Sequence, residues 1–376
     1  MIIWGGKAKK HILNILGRKL DRKYIVFESD DWGSERIPSF EDIKYLKSCG
    51  IDVYSNPFNH LDSLETEADL SALFEILMKF KDRKGNYPII TANSVTANPD
   101  FIRIKASGFR EYHYESTLET YYKKKECKNS YSIIKDGISS GLYHPQFHGR
   151  EHLNIRQWLS ELQSGNDHLM KAFDAGIYGI DTHSKFTQRV NFTAAFDITS
   201  EDDYSQHNEI IQQGTSMFKE IFGFKSESFI APCYLWAPSL ESVLNAYGIK
   251  YIQGLPIQNV PVFGSKYKKI FHFQGEQNKL EQFFFIRNCF FEPSLNQNFN
   301  WLDDCIKRLR IIFYWGKPAI IGTHRINFIG HLDERNRTKN LKSFYLLLKT
   351  ILKIWPEVEF ITTDKLGDIY SNNLNA

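Results

Sequence analysis

Short apolar runs alternate with helix-period stretches over most of the chain. Tyr24-Ile-Val-Phe27 reads as a buried strand. Residues 39–49 and 66–83 read as helices, and the second carries Leu70, Leu73, Phe74, Leu77 and Phe80 at spacings of three and four on one face. Pro88-Ile-Ile-Thr91 is a strand, and Asn98-Pro99 opens a helix. A strand precedes His144, residues 154–174 are helical, and Gly176–Asp181 is a further strand candidate. Helix 203–222 leads to strand Ser228–Ala231, and helix 238–247 stops at Gly248. Strands follow at 249–253, 269–273 and 283–287. Helix 298–314, strand Pro318–Gly322, helix 338–354 and strand Val358–Ile361 complete the pattern.

Repeated β-then-α units predict an α/β protein with a parallel sheet covered by helices, either open or closed into a barrel. In both cases chemistry gathers just beyond the C-terminal ends of the strands. The Tyr/Lys-rich stretch 106–140 and the aromatic, Asn/Gln-rich stretch 255–300 interrupt the pattern. They read as insertions in one domain spanning 1–376.

Charge changes the picture little in total and more in detail. Lys and Arg number 47 against 44 Asp and Glu, a net +3, too balanced for a surface that neutralises nucleic-acid phosphates. Residues 1–23 nevertheless carry seven bases and one acid, and residues 303–353 eleven bases and four acids, so the rest is acidic. Residues 9–20 place Ile12, Leu13, Leu16 and Leu20 near one helical face with Lys and Arg elsewhere. Such a segment suits either peripheral contact with an anionic membrane surface or closure of a barrel bottom. The five cysteines show no paired spacing, and no apolar run fits a signal peptide or a membrane span, so a cytoplasmic, disulfide-free protein is expected.

Four segments at predicted strand ends carry candidate chemistry. Phe27-Glu-Ser-Asp30-Asp31-Trp32-Gly33 sets two carboxylates side by side after the first strand, where a turn can bring both into one cleft. His144, His148 and His152 stand four apart, and two histidines at i and i+4 on a helical turn can share one cation. His324, in Ile320-Ile-Gly-Thr-His324-Arg325, is placed for proton transfer. Phe229-Ile-Ala-Pro232-Cys233-Tyr234-Leu-Trp236 can line a cleft with its aromatic rings. Asp181-Thr-His183-Ser184 suits a cleft position or a capped helix start equally.

Taken in order, these segments resemble the polysaccharide deacetylase family, carbohydrate esterase family four. The resemblance covers residues 24–324. It implies a distorted (β/α) barrel and a metal-dependent deacetylase site. Asp30-Asp31 matches the Asp pair of the first motif, with Trp32 inserted before Gly33; this implies Asp30 as catalytic base and Asp31 as metal ligand. The His-x-x-x-His motif implies His148 and His152 as further ligands, and the last motif implies His324 as catalytic acid. The third motif is altered: Ile230 stands where the family has Arg, and Cys233 where it has Tyr. No Asp-Trp motif is recognisable, so Arg287 or Glu292, the polar strand end in that interval, is expected to orient the site.

The residues themselves support the same chemistry. One carboxylate and two imidazoles suit Zn²⁺, with Co²⁺, Ni²⁺ or Mn²⁺ as substitutes. A backbone N–H near Cys233 or Tyr234 is expected to hold a developing oxyanion. Trp32, Tyr234, Trp236 and Arg287 are the expected substrate contacts, on an acetylated glycan or glycan precursor. The expected function is acetyl removal from that sugar. Two alternatives stay open: a glycoside hydrolase pairing Asp30 with Glu28 or Glu292, and a non-catalytic carbohydrate-binding relative.

Overall fold

The computed structural model describes residues 7–180, 191–264 and 266–373. The central sheet is built from β1 (Tyr24–Trp32), β2 (Ile90–Ser94), β3 (Tyr143–Phe147), β4 (Ser228–Ile230), β5 (Tyr251–Gly254), β6 (Glu276–Gln277), β7 (Phe283–Ile286), β8 (Cys289–Phe290), β9 (Ala319–His324) and β10 (Glu359–Phe360). All pairs are parallel except that of β6 with β7. The pairing runs β7-β5-β4-β3-β2-β1-β9-β8. Its two ends are one continuous stretch of chain. Phe283–Ile286 pairs with β5, and Cys289–Phe290, two residues on, pairs with β9. The N–H of Arg287 bonds to Gly254 O at 2.9 Å, and that of Phe291 to Gly322 O at 3.0 Å. The strands therefore form a ring closed at this seam, a distorted barrel.

Alternation along β1 sets the layers. Ile25 and Phe27 face the helices, where they pack with Phe344, Leu348 and Phe360. Val26 joins Phe285 and Ile320 inside the ring. The long helix Glu334–Ile354 buries Leu341, Phe344, Leu347, Leu348 and Ile351 at helical spacing, each contributing about 1.5–3 kcal/mol of apolar burial. Helix Glu67–Leu77 starts with a capping box between Thr66 and Asp69. Leu366 and Tyr370 of helix Thr363–Asn372 pack with Leu20 beneath the ring, so the C-terminal helix closes that end.

Several expectations need correction. Residues 154–174 form two helices, Ile155–Gln163 and Asp167–Asp174, because Gly165 turns the chain with φ +69°. Residues 176–180 form no strand. The stretch 106–140 is not wholly an insertion: helix Ser130–Ser139 packs on the barrel, and Gly137 lies so close to the Phe74 ring that a Cβ would meet it at 2.5 Å. The stretch 255–300 includes the seam strand itself, beside a hairpin of Ile257–Val260 with Lys268–Phe271. Helix Lys7–Ile15 lies along helix Trp301–Tyr314, with Lys10 bonded to Asp304; Ile12, Ile15 and Leu16 remain exposed. No helix among the described residues is long and apolar enough to cross a membrane. Asp181, Thr182, His183 and Ser184 lie outside the described residues.

Candidate metal and acid–base site

The Asp pair enters one cavity because β1 ends irregularly. Its register against β2 shifts between Ser29 and Trp32, and Asp31 takes a left-handed backbone, φ 75°. In a regular strand, Asp30 and Asp31 would face opposite sides. The bulge turns Asp31 into the cavity beside Asp30 and sends Trp32 outward, against Tyr143. Gly33 follows at φ 80°, where a Cβ would sit 2.7 Å from Thr117 Cγ2. The left-handed backbone at Asp31 carries a local cost of the kind stored at functional sites. The cavity, about 220 Å³, is lined among others by Asp30, Asp31, His148, His152, Tyr234 and His324.

His148 and His152 do not lie on a helix. His148 follows the end of β3, its N–H bonded to Ser94 O, and Gly149 at φ 99° turns the chain so that His152 returns to the same wall. The two rings meet edge to face, with centroids 5.1 Å apart. Each Nε2 lies 3.3 Å from Asp31 Oδ1. That separation is close to the edge of a tetrahedron of ligand atoms about 2.0–2.1 Å from a zinc ion. His148 Nδ1 is 2.9 Å from Ile230 O, which places the ring proton there and leaves the Nε2 lone pair facing Asp31. Burial pushes His152 down to about 3, against the pull of Asp31, so the ring is neutral, as a ligand must be. Burial alone would raise Asp31; its neighbours, His152 and Arg36 foremost, outweigh it and hold the carboxyl well below the usual range. The donor set therefore fits a divalent cation with an open position. His144, the remaining member of the triplet, sits within β3 and pairs with Asp364 at 3.3 Å.

Asp30 and His324 are register partners on β1 and β9. Arg287 grips both oxygens of Asp30, Nη1 to Oδ2 at 2.6 Å and Nη2 to Oδ1 at 2.7 Å. Its Nε donates to Glu28 at 2.8 Å and its Nη1 to the Tyr234 hydroxyl at 2.9 Å. Asn93 adds a third bond to Asp30 at 2.7 Å. Burial works to raise Asp30, and Arg287 more than cancels it, so the carboxylate stays ionised. His324 Nε2 stands 3.8 Å from Asp30 Oδ2, while its Nδ1 meets Glu292 at 2.6 Å. Asn327 holds the other Glu292 oxygen at 2.7 Å. Burial opposes the charge on His324, but Glu292, with help from Asp30 and Asp31, raises it to about 9. Of the two candidates for orienting the site, Arg287 contacts the Asp30 carboxylate and Glu292 the His324 imidazole.

The substrate-contact expectations are revised. Tyr234 lines the cavity. Trp32 and Trp236 are buried in the two largest core clusters, with their indole N–H groups satisfied by Ser29 and Glu241. Neither lines the cavity wall; the bulge and the turn after Pro232 carry them away. Arg287 is fully buried, and its guanidinium is taken up by Glu28, Asp30 and Tyr234. The paired-carboxylate alternative also weakens, because Glu28 and Glu292 are bonded behind the wall and do not line the cavity. The N–H of Tyr234 is spent on Ala231 O at 2.9 Å, leaving Cys233 N–H as the candidate oxyanion donor. Arg36, Asn56 and Phe58 also line the cavity. Arg36 and Asn56 sit in loops and Phe58 opens the short helix Phe58–Leu61, none with periodicity or motif, so the sequence offers no signal for them.

No family model matches the chain, and no curated protein matches it. In structure it is similar to a 4-alpha-glucanotransferase from Thermococcus litoralis, with 9% identity and TM-score 0.46 over 92% of this chain; the chain spans 40% of that enzyme. A probable polysaccharide deacetylase from Pseudomonas aeruginosa PAO1 gives 10% identity and TM-score 0.42 over 92% of this chain and 89% of its own. The peptidoglycan deacetylase PdaC from Bacillus subtilis gives 9% and 0.37, with 94% of each chain covered.

Proposed function

We propose that this chain is a metal-dependent deacetylase acting on an acetylated sugar of a polysaccharide or its precursor. The observation that carries the proposal is the Asp31–His148–His152 group, both imidazoles 3.3 Å from Asp31, sharing one cavity with an ionised Asp30 and a protonated His324. A divalent ion held by those three side chains, Zn²⁺ first among candidates, would polarise an acyl carbonyl and acidify water.

The chain's own residues would do the rest. A carboxylate offers about four acceptor sites; three on Asp30 are taken by Arg287 and Asn93. The site left open is on Oδ2, on the His324 side, and it would accept the proton of the attacking water. Cys233 N–H would donate to the developing oxyanion. As the bond from the acyl carbon to nitrogen or oxygen breaks, His324 Nε2 would give its proton to the departing amine or alcohol. Glu292 keeps His324 charged and oriented for that transfer. An amine needs the acid most, so loss of His324 should slow N-deacetylation more than O-deacetylation.

The test is acetate release from acetylated chitin and xylan oligosaccharides with added Zn²⁺ or Co²⁺. Release that stops on chelation and returns on reloading supports the proposal. Chelator-resistant release of reducing ends would point to a glycoside hydrolase. Metal-independent glycan binding without turnover would point to a carbohydrate-binding relative.

A further inference from the structure

Arg36 stands in the same cavity with no function assigned by the chemistry above. Its side chain is 9% exposed. The guanidinium carbon lies 4.8 Å from the centre of the Phe58 ring, and both residues line the cavity together with Asn56. No described residue accepts a hydrogen bond from it, and its buried Nε is without a hydrogen-bond partner. The nearest carboxylate oxygen, Asp62 Oδ2, is 3.6 Å away, too far for a hydrogen bond. Asp62 is held through its other oxygen by Arg325 at 2.8 Å, and its Oδ2, without a hydrogen bond of its own, faces Arg36 Nε as an ion pair, so the donors left over on Arg36 are its two Nη groups. Arg36 therefore gains general charge compensation from Asp62 and Asp31 but no directed acceptor.

A buried guanidinium with unused donors is costly, and native interiors rarely keep one without a use. Its planar fork matches an oxyanion in two-point geometry, and Phe58 at its face holds that plane fixed. Asn191 and Thr193 line the same cavity and add neutral polar groups suited to sugar hydroxyls.

We infer that Arg36, held by Phe58 and flanked by Asn56, is a subsite for an oxyanion carried by the sugar, either a uronate carboxylate or a sugar phosphate, so that the substrate is an acidic glycan. This deepens the deacetylase reading and rests on it for the nature of the ligand in the cavity.

Binding without turnover separates the two. Calorimetry on the full chain compares a hyaluronan tetrasaccharide with its carboxyl-reduced form, and N-acetylglucosamine 6-phosphate with N-acetylglucosamine. The wild type should prefer the anionic member of at least one pair by tenfold or more, and which pair responds identifies the carboxylate or the phosphate. Arg36→Gln should abolish the preference. Arg36→Lys, which keeps the buried charge and hence the fold, should reduce it severalfold. Equal affinity within both pairs, no binding of any anionic probe, or a preference that survives Arg36→Gln overturns the inference. Metal content and acetate release, measured on the same preparations, report on the deacetylase reading separately; a charge preference without acetate release would sink that reading and leave the subsite standing.

Discussion

Two buried arginines serve one site, Arg36 in the cavity wall and Arg287 behind Asp30, and are treated in opposite ways. Arg287 spends its donors on Glu28, Asp30 and Tyr234. Arg36 makes no hydrogen bond among the described residues. Their origins differ as well. Arg287 comes from the seam where the barrel closes, pinned on both sides by backbone bonds to Gly254 and, through Asn288, to Ile320. Arg36 comes from the loop beyond the β1 bulge. A saturated arginine is a positioning device: it holds Asp30 ionised with one acceptor site directed toward His324. An unsaturated one is receptive, because its binding capacity is still available. The same residue type thus marks the rigid and the recognising walls of one site.

Breaking the saturated arginine should cost most. Arg287→Met leaves Glu28 and Asp30 buried without their cation, and losing one partner of such a cluster costs about 3–5 kcal/mol. Chemical denaturation should show that loss; an unchanged midpoint would mean that the carboxylates are compensated elsewhere.

Gly322→Ala acts on the same clamp indirectly. Its Cβ would approach Arg287 Cδ to 2.7 Å and the Phe290 ring to 3.3 Å, so overpacking of about 1–3 kcal/mol and a displaced guanidinium are expected. Acetate release should fall further than stability alone explains.

Glu292→Gln should leave Arg287 in place and change the acid. His324 is raised to about 9 mainly by Glu292, so acid catalysis is present below that pH and lost as pH rises through it. Without the carboxylate, the loss should begin nearer the ordinary histidine value of about 6.5. A pH–rate profile with an unmoved alkaline limb would remove His324 from the acid role.

Arg36→Gln should cost less stability than Arg287→Met, because only the 3.6 Å ion pair to Asp62 is lost and Asp62 keeps Arg325. A loss as large as that at Arg287 would make the two arginines equivalent structural groups and erase the contrast.

Much of the saturated wall was legible in the sequence. Strand ends with Asp30-Asp31, His148 and His324 stand out because polar residues break apolar runs, and in the same way Arg287 interrupts and Glu292 ends the run Phe283–Phe291. The barrel's closure was less legible: Arg287-Asn288 divide the seam strand into two short pairings, so periodicity shows only the first. The histidine spacing picked out two residues that do lie together, but a glycine turn and not a helix brings them there. Trp32 misled because alternation fails at a bulge, and a bulge has no fixed sequence signature. Arg36 carried no signal, because a lone arginine in a loop acquires meaning only from the acceptors it lacks.

The account stands on the Asp31–His148–His152 group as a cation site. Elemental analysis of the purified chain after incubation with Zn²⁺ and gel filtration tests it most directly. The wild type should retain about one ion per chain, as a three-ligand catalytic site does, and Asp31→Ala and His152→Ala should retain almost none. A wild type that leaves the column without metal, or an Asp31→Ala variant that keeps it as well as the wild type, would contradict the account.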